Sequence, residues 1–349
     1  MLNESHSISP LSASEAPNAP LKAQILDLSR QNQIGALSPW FSAQLDTQIA
    51  KGRYKDRADL VSLSDFLVSQ LATYRKEAGV STCVLGMSGG VDSALTAALF
   101  KKAGWKVIGV TMPIHQAQSE TDRGVETINA LGLDGHVHAD LSDAYDMMLT
   151  HMQDGDLCGD LDTKAIRVRK GNVRARCRMI TLYNLASKNN GLVASTDNLS
   201  EMGGSFFSLH GDVGDVSPIQ SLMKSWEVPY LARLNGVPES TVRATPTDGL
   251  GIDAGDEAQL GCSYLEWDLL VAAMADAVAE SDTPNEVAAK LSLEGADQAK
   301  LSAVMGRMRA GWFKRHNPVN LPHPFEDRYG MLARIDRGAF IPKGLLCLV

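Results

Sequence analysis

Between Val84 and Phe100 an apolar run, VLGM, breaks into SGGVDS and resumes at once as ALTAALF. The first run reads as a buried strand and the last as a helix, so the chain must reverse within six residues rich in glycine and hydroxyl groups. Gly89 and Gly90 tolerate positive φ and close backbone approach, which lets successive N–H groups converge at the start of the following helix. Such a helix N-terminus favours anions, phosphate above all. The turn has neither the lysine of G-x-x-x-x-G-K-[ST] nor the spacing of G-x-G-x-x-G, so two common nucleotide loops are excluded. A plain strand-to-helix turn capped by Asp92 or Ser93 is the alternative without a ligand.

The surrounding chain repeats this pattern. Strands are expected at 82–87, 106–112, 135–141 and 192–196, and helices at 92–103, 119–131, through Tyr145, at 172–188 and at 221–234. Strands alternating with helices imply an α/β fold with a doubly wound, mainly parallel sheet, whose ligands gather beyond the carboxyl ends of the strands. Leu60, Leu63, Leu67, Leu71 and Tyr74 recur every three or four residues as one face of an amphipathic helix, with Gly79 as its stop. Residues 1–20, rich in Ser, Ala, Pro and Asn, are expected to be a disordered leader. A helical extension over 21–59, a central domain over 60–272 and a mainly helical region over 273–349 follow. Residues 244–261 carry little to bury and form a long loop of the kind that usually has a function.

Composition narrows the partners. A net charge of −8 argues against a general nucleic-acid surface. No apolar run reaches the roughly 18 residues of a membrane span. Five scattered cysteines without a C-x-x-C pair, and an N-terminus without a signal peptide, point to a reducing, cytoplasmic location.

SGGVDS resembles the pyrophosphate loop of the N-type ATP pyrophosphatases, whose fold is Rossmann-like (adenine-nucleotide alpha-hydrolase-like). Downstream, KGNVRARCRMITLY (170–183), VASTDNLSE (193–201), FFSLHGD (206–212), PTDGL (246–250) and DEAQLGCSYLEWD (256–268) together resemble the ammonia-dependent NAD synthetases. The resemblance covers about residues 60–268. It implies amidation of deamido-NAD by ammonia, driven by ATP through an acyl-adenylate, in a homodimer. It assigns ATP to Ser88, Gly89, Gly90, Val91, Asp92, Ser93, Thr196, Lys224 and Thr247, and deamido-NAD to Asn172, Arg176 and Asp212. Mg²⁺ falls to Asp92 and Glu201, and catalytic roles to Asp212 and Lys224. Segments 205–215 and 244–261 are the expected lids. Helical spacing puts Arg176, Met179 and Tyr183 on one face and Arg174 and Arg178 on another. One face is expected to meet the anionic substrate, which the resemblance assigns to Arg176, and the other to be solvated.

Free ammonia is the expected nitrogen source, because too few residues precede the loop for a nitrilase-like domain and no cysteine follows Met1. A separate glutaminase is the other source. The chain departs from the family at Met112, where an arginine is usual, at Val168 and Arg169, where an aromatic residue is usual, and at Val213 within Gly211–Asp215. These departures bear on substrate length, so nicotinate mononucleotide is the alternative substrate. A tRNA-modifying enzyme with the same ATP loop, or a non-catalytic nucleotide binder, are the alternatives of other classes.

Overall fold

The computed structural model describes residues 20–152, 155–158, 162–247, 255–279, 282–317 and 328–335. The expected leader, apart from Pro20, and residues 248–254 of the long loop lie outside these. Four strands, β1 (Thr82–Gly86), β2 (Lys106–Thr111), β3 (Gly135–His138) and β4 (Gly191–Val193), pair in parallel in the order β3-β2-β1-β4. Before β1 lie α1 (Leu21–Leu28), α2 (Gln31–Ile34), α3 (Pro39–Ala50) and α4 (Arg57–Ala78). Between the strands run α5 (Val91–Lys102), α6 (Gln118–Ala130), α7 (Ser142–His151), α8 (Gly155–Cys158) and α9 (Lys164–Lys188). After β4 come α10 (Leu199–Gly204), α11 (Glu227–Leu234), α12 (Glu239–Val242), α13 (Asp256–Leu260) and α14 (Tyr264–Ala277). They are followed by α15 (Pro284–Lys290), α16 (Gly295–Ala310), a 3-10 turn at Trp312–His316 and α17 (Arg328–Ile335).

Successive strand residues point to opposite faces, and in β1 and β2 both faces are apolar because both are covered. Cys83, Leu85 and Val107 enter the larger core with Leu95 and Leu99 of α5 and Leu231 of α11. Val84, Ile108 and Val110 meet Met179, Leu182 and Ala186 of α9 on the other side. The sheet is therefore doubly wound. The larger core continues into Ile25, Phe41 and Leu45 from the N-terminal helices and Val287, Leu301 and Val304 from α15 and α16.

Local signals account for many of the boundaries. Asp56 caps α4 by accepting from the Asp59 N–H at 3.0 Å, and Gly79 ends it at φ 65°. Elsewhere the chain departs from its sequence pattern. Helix α9 begins eight residues before Asn172, because Thr163 caps it through the Ile166 N–H and Ile166 packs into a small core with Tyr145. Strand β4 ends at Val193; the Asp215 N–H donates to the Val193 carbonyl and Ala194 forms a bridge to Val216. Residues 221–226 are not helical, because the Lys224 and Ser225 N–H groups donate sideways to Ser200 and Asp268 instead of along a helix. The loop at 244–261 contains the short helix α13.

Helix α6 crosses the end of β1 at Gly124, where an added Cβ would lie 2.6 Å from the Met87 carbonyl oxygen. Gly124→Ala must push α6 off the strand end and should cost about 1–3 kcal/mol. Chemical denaturation compared with the unaltered protein measures this, and an unchanged midpoint contradicts it.

Candidate active site

A cleft of about 350 Å³ opens at the carboxyl ends of β1 and β2. Its floor is the SGGVDS turn. Gly89 has φ 82°, a left-handed conformation, and a side chain there would collide with the Glu120 carbonyl. Gly90 begins α5 in an extended conformation, and its N–H donates to Ser88 Oγ at 3.2 Å. Ser93 Oγ lies 3.1 Å from Ser88 Oγ and donates to the Gly90 carbonyl at 3.0 Å. The hydroxyls thus brace the turn while the first N–H groups of α5 stay free of partners within the helix, as an anion site requires. Arg123 of α6 donates to the Gly89 carbonyl at 3.3 Å and lines the cleft. No spacing in the sequence singled it out.

Beside the turn stands one buried ammonium. Lys224 Nζ pairs with Asp92 Oδ2, lies 3.6 Å from Glu201 Oε1 and sits 5.5 Å from the centre of the Tyr264 ring. Burial alone would lower its pKa, but Asp92 and Glu201 outweigh it and hold the ammonium above its ordinary value. Asn198 caps α10 through the Glu201 N–H and donates to Asp92 Oδ1 at 2.9 Å, so it fixes both acidic residues. Burial, then Asp92, pushes the Glu201 carboxyl well up. Asp197 is 4% exposed, its Oδ2 has no partner, and burial followed by repulsion from Asp212 and Asp92 raises its pKa to about 8.

A divalent cation suits this group, which sets three carboxyls around one ammonium and retains an orphaned buried oxygen. Among the described residues no three His, Cys, Asp or Glu side chains form a ready cage. That accords with Mg²⁺, which takes one or two protein carboxylates and completes its shell with phosphate and water.

A second part of the cleft lining carries a carboxylate among cations. Asp212 is half-buried and its Oδ2 accepts from the Ser208 N–H at 2.6 Å. Burial raises its pKa, opposed by the Ser208 N–H and by Arg178, Lys314 and Arg176. Asn172 lines the cleft and accepts from Ser208 Oγ. Thr196 and Thr247 line it too, the latter donating to Glu120 Oε1 at 2.9 Å. Arg176 is turned outward, exposed, and donates to the Leu209 carbonyl at 3.1 Å.

The solvated-face expectation for Arg178 and Arg174 is corrected. Arg178 lines the cleft and donates to the Met112 carbonyl at 3.1 Å and to Gln116 Oε1 at 2.7 Å, while Arg174 lies over the Tyr145 ring at 5.2 Å. Helix α9 lies on the sheet through Met179 and Leu182, which rolls Arg178 inward and Arg176 outward. A guanidinium thereby stands at the end of β2, beside the Met112 position. The stripe Asn172, Ala175, Met179 and Leu182, at i, i+3, i+7 and i+10, was the available signal for this inner face. Lys314, which donates to the Ser205 carbonyl at 3.0 Å and lines the cleft from far along the chain, left no such signal.

A parallel sheet whose first strand ends in an anion turn, with an ammonium and two carboxylates beside it, defines a phosphate-binding α/β protein of the nucleotide-using class. A sequence model of the NAD synthase family matches residues 63–318. The NH3-dependent NAD(+) synthetase of Alkaliphilus oremlandii is 35% identical over 205 residues, covering 57% of this chain and 80% of that protein. That of Methanococcoides burtonii is 31% identical over 264 residues, 74% of this chain and 94% of that protein. Among solved structures, the NMN synthetase of Francisella tularensis is similar, with a TM-score of 0.62 and 26% identity over 76% of this chain and 99% of that one. The chain belongs to the NAD synthase family.

Because the folded pKa of Asp197 is raised, its contribution to stability is full below the unfolded value near 4 and is lost as pH rises through about 8. Asp197→Asn stays neutral. Urea unfolding from pH 5 to 9, without divalent cations, should show a shallower decline in stability for the variant; parallel profiles would reject the assignment.

Proposed function

We infer that this protein is an ammonia-dependent NAD synthetase that amidates deamido-NAD at the expense of ATP. The observation that carries the reading is the juxtaposition of the SGGVDS turn with Lys224, Asp92 and Glu201 in one cleft, in a chain of this family.

The nicotinate carboxylate is a poor electrophile. One of its oxygens attacks the α-phosphorus of ATP, the bond to the β-phosphate oxygen breaks, and pyrophosphate leaves with that electron pair. Ser88, Gly89, Gly90, Val91 and Ser93 hold the departing pyrophosphate, and Lys224 supplies positive charge next to it. Thr196 and Thr247 contact the nucleotide from the cleft walls. Asp92 and Glu201 are the residues that would hold Mg²⁺, which supplies further neutralisation of phosphate charge when bound. Ammonia then attacks the acyl carbon and AMP leaves. Asn172 and Asp212 position the deamido-NAD end, with Arg176 approaching it from the rim. Asp212, a half-buried carboxyl with a raised pKa, is suited to take the proton that ammonium loses. Most of the rate enhancement comes from orientation and charge neutralisation in a water-poor site.

The reading carries with it a homodimer and a cytoplasmic location; among the described residues no helix is long and apolar enough to cross a membrane. Nicotinate mononucleotide is the second substrate to compare, because the Francisella tularensis neighbour is an NMN synthetase.

With radiolabelled ATP, ammonium and deamido-NAD, the protein should form AMP, pyrophosphate and NAD in equal amounts. Faster turnover of nicotinate mononucleotide would replace the substrate, and no AMP at all would reject the reaction. Asp92→Asn should slow pyrophosphate release about 100-fold or more while leaving the affinity for deamido-NAD within a few fold. Equal losses in both would count against the role given to Asp92.

A further inference from the structure

We propose that Asp27, Arg30 and Gln31, at the junction of α1 and α2, are positioning residues for the nucleotide-facing wall of the cleft and set the affinity for ATP without touching it. The proposal rests on the reading of the cleft as an ATP site. All three residues precede residue 63, where the family match begins.

The wall in question is formed by two stretches, residues 243–247 and 255–263. Ala244, Thr245 and Thr247 line the cleft from the first, and Asp256 and Gln259 from the second. The two run side by side, with the Asp256 N–H donating to the Pro246 carbonyl at 3.2 Å. None of residues 244–247 is buried, so polar anchors rather than core packing hold that stretch in place.

The α1–α2 junction grips both stretches. At the start of the first, Arg243 donates through Nη2 to Asp27 Oδ2 at 2.6 Å and through Nη1 to the Asp27 carbonyl at 2.9 Å, with both side chains 23% exposed. Two residues on, Thr245 Oγ1 accepts from Arg30 Nη2 at 2.9 Å. At the end of the second, Ser263 Oγ, the cap of α14, donates to Gln31 Oε1 at 2.8 Å, and this bond is buried. Gln31 is itself fixed by donating to the Gly35 carbonyl at 2.9 Å.

The junction is a rigid base for these bonds. Ile25 and Leu28 of α1 are buried in the main core, and Gln31 is 3% exposed. Arg30 sits at φ 62° and ψ 15°, a left-handed conformation that a non-glycine residue adopts only when its surroundings impose it. That conformation accompanies an arginine whose guanidinium bonds Thr245. Five consecutive residues, Asp27 to Gln31, thus hold a wall that lies more than 200 positions away in the chain.

Asp27→Ala combined with Arg30→Ala removes the side-chain bond to Arg243 and the bond to Thr245, and Gln31→Met removes the bond to Ser263. Calorimetric titration with ATP and Mg²⁺ should show ATP affinity weakened roughly five- to thirtyfold in the double variant, as expected for one or two lost hydrogen bonds. In turnover assays the KM for ATP should rise by the same factor, with kcat and the KM for deamido-NAD within about twofold. Arg30→Ala alone, which removes one exposed bond, should give a rise of about threefold to fivefold, and it keeps the test available if the double variant unfolds. Unchanged ATP affinity in folded variants, or equal losses in kcat and both KM values together with a fall in Tm, would overturn the proposal. If the unaltered protein binds ATP but makes no NAD, the reaction is wrong and the brace still stands; if it binds no ATP, both fail.

Discussion

The cleft depends on one buried ammonium. Lys224 brings a full charge into a region closed by Tyr264 and Ser200, and burying such a charge is unfavourable unless opposite charges meet it. Asp92 on α5 and Glu201 on α10 provide them, while the Lys224 N–H donates to Ser200 Oγ at 3.0 Å. Without the ammonium, two carboxylates would face each other, with Asp197 close by. The ion pair therefore ties α5 to α10 through residues 221–226, which the N–H bonds of Lys224 and Ser225 to Ser200 and Asp268 keep out of a helix.

Two parts of the cleft have opposite electrostatic designs. At the β1 turn the free N–H groups of α5 and the Arg123 guanidinium offer positive charge to an anion, and acidic side chains stand behind it to be neutralised by a cation. In the other part Asp212 is a carboxylate facing Arg178, Lys314 and Arg176, so its charge is stabilised against the cost of burial, which still holds its pKa up. A nucleotide phosphate chain suits the first. A proton-handling step at a second, anionic substrate suits the other.

Much of this was legible in the residues. The four strands, the doubly wound arrangement, the Gly79 stop of α4 and the SGGVDS turn follow from signals spanning a few residues: apolar runs and glycine at positive φ. The misread elements share one cause. Helix α9 starts early because of a cap and an apolar contact outside its strongest stripe, β4 ends early because residues 215–216 take over its hydrogen bonding, and Arg178 faces inward because the helix is rolled by its packing on the sheet. Apart from the Thr163 cap, these causes lie in contacts with other parts of the chain.

The sequence by itself determined where the chain turns, which faces seek a core and that an anion belongs at Ser88–Ser93, because backbone freedom and hydrophobic periodicity act over single turns of helix or single strands. Only the tertiary structure decided which charges meet. Lys224 with Asp92, Arg123 with the Gly89 carbonyl, Arg178 with the end of β2, Lys314 with the 205–212 segment and Arg243 with Asp27 each join elements distant in the chain. A buried or half-buried charge takes its partner from whatever the packed elements bring within a few ångströms, and no spacing along the chain encodes that distance.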